Sequence, residues 1–155
     1  MIKLIYFEEK YQPDFKRLNL QWLDKFELTE SHDLLILDYP QREVIDPGGV
    51  IFLAMNGEEV IGTAGLMKVK EGDYELVKMA VAEDWRGQGI SKLLLERCIE
   101  EARIRHAHTV HLFSNSRLQT ALQLYTKYGF RQVPVTDAPY ETSDVKMELS
   151  LQSNT

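Results

Sequence analysis

Cysteine is almost absent from the chain: Cys98 is the single one, which excludes a disulfide framework and a cysteine-based zinc finger. It lies mid-helix between Leu94 and Ala102, so it reads as core, and a reducing cytoplasm is the expected setting. Long apolar runs are missing too. No stretch approaches the roughly 18–20 residues needed to cross a bilayer, and the opening MIKLIYFEEK holds too short an apolar run for a signal peptide. No membrane partner is expected. Basic residues are outnumbered, 18 Lys plus Arg against 24 Asp plus Glu for a net charge of −6, which argues against nucleic acid as a partner. The imbalance is confined to one half: residues 1–75 carry 8 basic and 15 acidic side chains, a net of −7, whereas residues 76–155 carry 10 and 9, a net of +1. A carboxylate-rich half either steers a cationic partner or keeps a solvated face soluble. Repeats, linkers and low-complexity segments are likewise absent. Residues 1–155 therefore read as one domain, and a chain of this size buries about two thirds of its unfolded surface.

Several motifs that would announce a chemistry are also missing. No Gly stands four residues before a Gly-Lys pair, so there is no Walker loop. A dinucleotide fingerprint would need a small residue three positions after Gly89, where Lys92 stands, and an acidic residue about 20 positions further on, where Arg105 to Thr109 stand. There is no nucleophile elbow and no cysteine-histidine arrangement. His106, His108 and His111 crowd together in sequence, yet none has the four-residue helical spacing of a zinc protease. Structural roles are expected for them, with His106 favoured by the dipole near a helix C-terminus, and no metal is expected.

What is present centres on residues 74–105: an apolar strand (YELVKMAV), a glycine-rich turn (AEDWRGQGIS) and a long amphipathic helix. Leu76, Val77, Met79 and Val81 form an almost continuous apolar run, as in a strand covered on both faces. Glu75 and Lys78 interrupt it. Strict alternation places Glu75, Val77, Met79 and Val81 on one face and Tyr74, Leu76, Lys78 and Ala80 on the other. Glu75 is then either a strand-end carboxylate pointing into water or a general base whose ionised form is disfavoured by apolar neighbours.

The turn of Arg86, Gly87, Gln88, Gly89, Ile90 and Ser91 precedes a helix with apolar positions at 90, 93, 94, 98 and 102. Two glycines permit close backbone approach, and the first helical turn offers N–H groups with no internal partner. With the helix dipole, Arg86 and Lys92, this makes an anion site suited to phosphate or pyrophosphate. The bland alternative is an ordinary strand-to-helix connection capped by Ser91.

Elsewhere the pattern predicts a strand over 2–7, and a Pro13-initiated helix to about Phe26 with Phe15, Leu18, Trp22 and Phe26 on one stripe. Thr29, Ser31 and Asp33 offer caps for a second helix, HDLLILDY, which Pro40 interrupts. A turn at Asp46 to Gly49 leads to a strand over 50–55. Asn56-Gly57 then signals a hairpin into a strand over 59–69, within which Gly62 and Gly65 mark a bulge or a close backbone approach. After the long helix come a strand over 109–113, a helix over 117–128 closed by Gly129, a strand over 130–135, a loop over 137–142 and a last strand over 143–151. Residues 152–155 are expected to fray.

The turn RGQGIS and the segment ALQLYTKYGF resemble the GNAT superfamily of acyl-CoA-dependent N-acyltransferases, and the resemblance covers roughly residues 50–149. The signature runs Arg or Gln, any two residues, Gly, any residue, Gly or Ala. This chain matches it at Arg86 and Gly89 and departs at Ser91, which implies weakened rather than abolished pyrophosphate binding. The implied fold is α/β in the mixed α+β sense: a mostly antiparallel central sheet of six to seven strands with helices on both faces, splayed at the central strand. Backbone at Met79, Ala80 and Val81 would then meet the pantetheine arm and thioester of acetyl-CoA. The turn amides of Arg86, Gly87, Gln88, Gly89, Ile90 and Ser91 would hold its pyrophosphate. Leu118 replaces the asparagine usual in the late helix, and Asn115 is the candidate to take over that contact. Tyr125 shares a stripe with Leu118, Ala121 and Leu122, as a core tyrosine would. The resemblance promotes it to the acid that protonates the departing thiolate, and Glu75 matches a position that some members use as base. In the family the early helical region covers the acceptor, which makes Glu27, Glu30, His32, Asp33 and Tyr39 candidate contacts, and a homodimer is the family's habit. The expected function is transfer of acetyl from acetyl-CoA to an amine, a cationic small molecule or protein amine. Two other readings are a non-catalytic acyl-CoA sensor and an interaction protein whose acidic face meets a basic partner.

Overall fold

A computed structural model describes residues 1–136 and 138–151. The elements in chain order are β1 (Ile2–Tyr6), a short 3-10 turn, α1 (Gln12–Lys25), α2 (Ser31–Asp38), a π-helical turn (Gln41–Ile45), β2 (Val50–Asn56), β3 (Glu59–Lys70) and β4 (Asp73–Val81). A second 3-10 turn (Glu83–Trp85), α3 (Ile90–Ile104), β5 (Thr109–Ser114), α4 (Gln119–Lys127), β6 (Arg131–Val133) and β7 (Val145–Ser150) follow. The strands form one seven-stranded sheet in the order β1-β2-β3-β4-β5-β7-β6. Every pairing is antiparallel except that of β4 with β5, because α3 carries the chain across the sheet between those two strands.

Helices cover both faces, so the central strands are largely apolar. Phe15, Leu18, Ile36 and Leu37 of α1 and α2 pack with Ile51, Leu53 and Met55 of β2 on one face. On the other, Leu94, Leu95, Cys98 and Ala102 of α3 and Tyr125 of α4 pack with Val50, Phe52 and Ala54 of β2 and with Leu76 and Val81 of β4. Cys98 is core, as its helical position predicts, and burial pushes its thiol pKa up to about 12. At Gly62 a Cβ would meet Leu94 Cδ1 at 3.0 Å and Ile90 Cγ2 at 3.1 Å; a strand glycine is what lets α3 lie this close. The register also shifts beside Gly62 and before Gly65, as two glycines within one strand forecast.

Boundaries differ from the sequence reading where local capping wins. In the β2–β3 hairpin Asn56 pairs with Glu59, so Gly57 and Glu58 form the turn, with Gly57 at φ +61°. The cap of α2 is Glu30 in a capping box rather than Thr29, Ser31 or Asp33, and Asp33 accepts from the Glu30 N–H at 2.8 Å. Gly129 closes α4 at φ +97°, as anticipated. The last two strands are shorter than the apolar pattern suggested. The loop expectation for 137–142 falls in part on Asp137, and the expectation for 152–155 lies entirely outside the described residues.

Candidate functional site

Strands β4 and β5 pair only through three rungs, Asp73 with Thr109, Tyr74 with Val110 and Glu75 with His111. Beyond Glu75 they part, although β4 continues to Val81 and β5 to Ser114. The sheet is thus splayed at its centre. A bulge accompanies the parting. On β3, Thr63 faces Ala80 and Gly65 faces Val77, so Lys78 and Met79 together oppose a single residue, and Lys78 takes φ +54°. The bulge reverses the side-chain alternation. Val81 consequently joins Tyr74 and Leu76 against α3, whereas unbroken alternation had placed it on the face of Glu75 and Val77. From the α1 side, Asn19 donates to the Thr63 hydroxyl at 3.0 Å, which donates to the Lys78 carbonyl at 2.8 Å. These buried bonds satisfy the backbone that the bulge removes from the ladder.

A channel of about 410 Å³ runs from the gap to the glycine turn, past Met79, Ala80 and Val81 to Arg86, Gly89 and Ser91. Gly87 and Gly89 adopt φ +77° and +81°, and a Cβ on either would touch nothing; the demand for glycine here is conformational. Gly89 itself is the N-cap of α3, with no side-chain cap bond. Ser91 lies inside the helix, so the simple Ser91-capped connection is not what forms. Arg86 is held against the channel wall, its Nε donating to the Val81 carbonyl at 3.2 Å and its guanidinium 5.1 Å from the Trp22 ring centre. Gln88 is exposed and donates to the Asp84 carbonyl at 3.4 Å. An anion can therefore meet turn amides and cationic side chains together, with few side chains in the way.

A second, smaller cavity of about 120 Å³ opens on the other side of the gap, lined by Asp33, Glu75, Lys78 and Tyr140 among others. Trp22, Met79, Leu118 and Tyr125 line both spaces, so the two meet there. Lys78 forms an ion pair with Asp33 in which both side chains are buried, and its ammonium also donates to the Tyr140 hydroxyl at 3.4 Å. Burial pulls the Lys78 pKa down against the attraction of Asp33. Burial, reinforced by Glu75 and Asp33, pushes that of Tyr140 up. Glu30 ties α2 to the segment before β7, accepting from the Glu141 and Thr142 N–H groups at 2.8 and 2.9 Å and from the Thr142 hydroxyl at 2.5 Å. Burial works to raise the Glu30 pKa, and these bonds outweigh it, leaving the carboxyl below its usual range.

Of the residues singled out in the sequence, the fold brings Met79, Ala80, Val81, Arg86, Gly87, Gly89, Ile90, Ser91 and Tyr125 to the channel and Glu75 to the cavity. Tyr125 is buried, which raises its phenol pKa and keeps it protonated. Asn115 lies on the cavity wall and does not line the channel. Its amide donates to the Thr142 carbonyl at 2.7 Å and accepts from the Arg117 N–H at 2.9 Å. Among the early candidates Asp33 lines the cavity and His32 packs edge-on against Tyr140 at 5.0 Å. Glu27 and Tyr39 are placed elsewhere: Glu27 is exposed at φ +56°, and Tyr39 lies beneath Arg42 in a separate surface groove. Lys78 and Tyr140 escaped the sequence reading. A charge inside an apolar central strand was the available signal for Lys78; nothing local marks Tyr140. For His111 the sequence shows only its closeness to His106 and His108, which carries no trace of its partners on β4. Among the described residues no three His, Cys, Asp or Glu side chains converge to hold a metal, and no helix is long and apolar enough to cross a membrane.

A mixed sheet parted at its centre, with a glycine turn opening onto the gap, defines an acyl-CoA-type transferase fold. Residues 47–132 match the acetyltransferase (GNAT) domain, more than half the chain, and the protein belongs to that family. Its relatives include the uncharacterized N-acetyltransferase YvbK of Bacillus subtilis, 32% identical over 105 residues covering 66% of this chain and 68% of that one. Rat N-acetyltransferase 8B is 32% identical over 100 residues, 61% of this chain but only 45% of its own length. A GNAT-family acetyltransferase of Staphylococcus aureus superposes with a TM-score of 0.90 at 22% identity, over 98% of this chain and all of the other. A Bacillus subtilis acetyltransferase solved in complex with CoA superposes with a TM-score of 0.75, also at 22% identity, over 98% of this chain and 100% of that one.

Proposed function

We propose that the protein is an acetyl-CoA-dependent N-acetyltransferase that passes the acetyl group directly to an amine, with no acyl-enzyme intermediate. The observation that carries this reading is the meeting of channel and cavity at Met79, Leu118 and Tyr125, which would put a thioester and an acceptor amine within reach of one another. The CoA complex of a fold neighbour supports the choice of cosubstrate. The N–H groups of the turn from Gly87 to Ser91 would take the pyrophosphate, with Arg86 and Lys92 adding charge. Backbone along Met79 to Val81, which has no strand partner on the β5 side, would hold the pantetheine arm, and an N–H at Met79 or Ala80 would polarise the thioester carbonyl.

Glu75 then accepts the proton of the incoming ammonium, directly or through water, and the freed amine attacks the carbonyl. As the C–S bond breaks, Tyr125 gives its proton to the sulfur, and the second proton shed by the attacking nitrogen as it becomes an amide restores the phenol. The acceptor is a small or slender primary amine, because the cavity is narrow and Glu75, the lining carboxylate not paired with Lys78, favours a cation. Asn115 braces the cavity wall in this scheme and does not touch the cofactor.

The test has two stages. Calorimetric titration with acetyl-CoA should show one site, lost in Gly89→Glu, which places bulk and negative charge in the turn. A panel of phenethylamine, spermidine, the free amino acids and lysine-containing peptides should then reveal turnover. Tight binding of acetyl-CoA without transfer to any of these amines would leave an acyl-CoA sensor; no binding at all would sink both.

A further inference from the structure

Acetyl transfer from a thioester to an ammonium releases one proton per turnover, and the residue that receives it must be emptied before the next. This requirement rests on the transferase reading above. Glu75 is buried, so it needs an outlet. Behind it, on the last rung before the strands part, the Glu75 carboxylate lies 3.8 Å from His111 Nε2, and His111 Nδ1 lies 3.0 Å from Asp73 Oδ1. The side chains of Glu75 and His111 are 12% and 9% exposed, whereas that of Asp73, at the mouth of β4, is 20% exposed. The three groups thus make a line from the cavity wall along one face of the sheet toward solvent. Only Glu75 touches the cavity; His111 and Asp73 do not line it.

We propose that His111 and Asp73 are a proton outlet for Glu75, positioning residues that empty the base between turnovers. Asp73 accepts a bond from the His111 Nδ1–H, which leaves the Nε2 lone pair facing Glu75. After Glu75 takes the ammonium proton, its O–H passes that proton to Nε2 across the 3.8 Å gap through one bridging water. The imidazolium releases its Nδ1 proton along the Asp73 contact to water, and exchange through water, one proton leaving Nε2 as one arrives at Nδ1, resets the ring. No electrons move, and the single proton lost by the substrates is the proton delivered outside.

The surroundings fit a group that must change charge. Burial works against the imidazolium, yet Glu75 and Asp73 outweigh it and hold the His111 pKa above its usual value. The other titratable or charged groups around these three are Glu148, the rung partner of His111 on β7, Arg131, the partner of Glu148 on β6, Lys70, the partner of Asp73 on β3, and Lys78 and Tyr140 beside Glu75; Phe113 covers the ring edge-on at 5.6 Å. Only the neutral ring can accept a proton, so turnover should fall as pH drops through the raised His111 pKa.

The experiment compares the kcat profile from pH 5 to 9 for the parent protein, His111→Gln and Asp73→Asn, using the fastest amine of the panel throughout so that its own ionisation cancels. Asparagine keeps an acceptor for Nδ1–H but removes the charge and the capacity to pass a proton on. The expected results are a His111→Gln enzyme slowed about tenfold on the alkaline plateau with its acidic limb abolished, and an Asp73→Asn enzyme also slowed on the plateau, because the amide cannot carry the proton on, with its limb moved down by about one pH unit. Acetyl-CoA affinity should stay unchanged in both. A uniform loss of kcat with the limb unmoved would reduce the pair to a strand fastening and overturn the outlet. Failure of the parent to acetylate any amine would instead remove the transferase reading, and the outlet with it.

Discussion

The two sides of the parted sheet are made of different material. On the channel side the wall is largely backbone: free strand edge from Leu76 to Val81, two left-handed glycines and the uncapped start of α3. On the cavity side it is polar and charged side chains drawn from distant segments, with Asp33 from α2, Lys78 from the bulge, Tyr140 from the segment before β7, and Glu30 fastening that segment down. A backbone site tolerates exchange of side chains provided the φ values survive, and suits a ligand common to a whole family. A side-chain site changes with each substitution, and suits the ligand that differs between members.

The sharpest way to break the comparison is through the buried pair. Asp33→Ala strands the Lys78 ammonium without its counter-charge, and breaking a buried pair in this way costs about 3–5 kcal/mol. Urea unfolding should show a lower midpoint with little change in slope, and the double change with Lys78→Met should recover most of the loss. Acetyl-CoA affinity of the folded fraction should not move, since Asp33 does not line the channel. A cost under about 1 kcal/mol, the worth of an exposed pair, would mean that the cavity side is not held by charge.

The complementary change is Gly89→Glu. A side chain at φ +81° costs about 1–2 kcal/mol of backbone strain, so the fold should survive. Acetyl-CoA affinity should fall at least about 100-fold, near 2.7 kcal/mol, because a carboxylate then stands where the pyrophosphate is proposed to bind. Retained affinity in a folded variant would remove the turn from the site.

Glu75→Gln probes the border from the cavity side. Glutamine keeps the shape of the side chain and cannot take a proton, so kcat should fall about 100-fold while calorimetric affinity for acetyl-CoA is spared. The loss should be greatest at low pH, where little of the amine is free without a base. A parent-like pH profile in this variant would take Glu75 out of the mechanism.

These two sides were unequally legible in the sequence. The channel side is contiguous, so a strand pattern, two glycines and a helix stripe within residues 74–105 display it, and the same continuity made the family visible. Local chemistry misled only in detail. Ser91 looks like a cap, but a left-handed Gly89 already ends the turn, and period-two alternation cannot foresee a bulge at Lys78 that Thr63 and Asn19 anchor from other elements. The cavity side is assembled from long-range contacts that leave no periodic trace. Lys78 and Asp33 are 45 positions apart and Lys78 and Tyr140 are 62; nothing local links the strand lysine to either of them until the fold joins them. His111 shows the same limit, since its partners on β4 become neighbours only through the parallel crossover.

Tyr125 lies on the wall common to both sides, and Tyr125→Phe asks to which it belongs. The substitution removes one oxygen and leaves the ring against Phe130, 5.8 Å away, so stability should hardly change. If the phenol serves the chemistry, kcat falls and acetyl-CoA affinity stays within about twofold. The fall should be small for an acid catalyst, about tenfold and below the usual range. A thiolate whose parent thiol ionises near pH 8.5 leaves without much help. A large loss of affinity with kcat intact would instead make Tyr125 part of the cofactor wall, and its hydroxyl a contact of the bound arm rather than the proton source for sulfur.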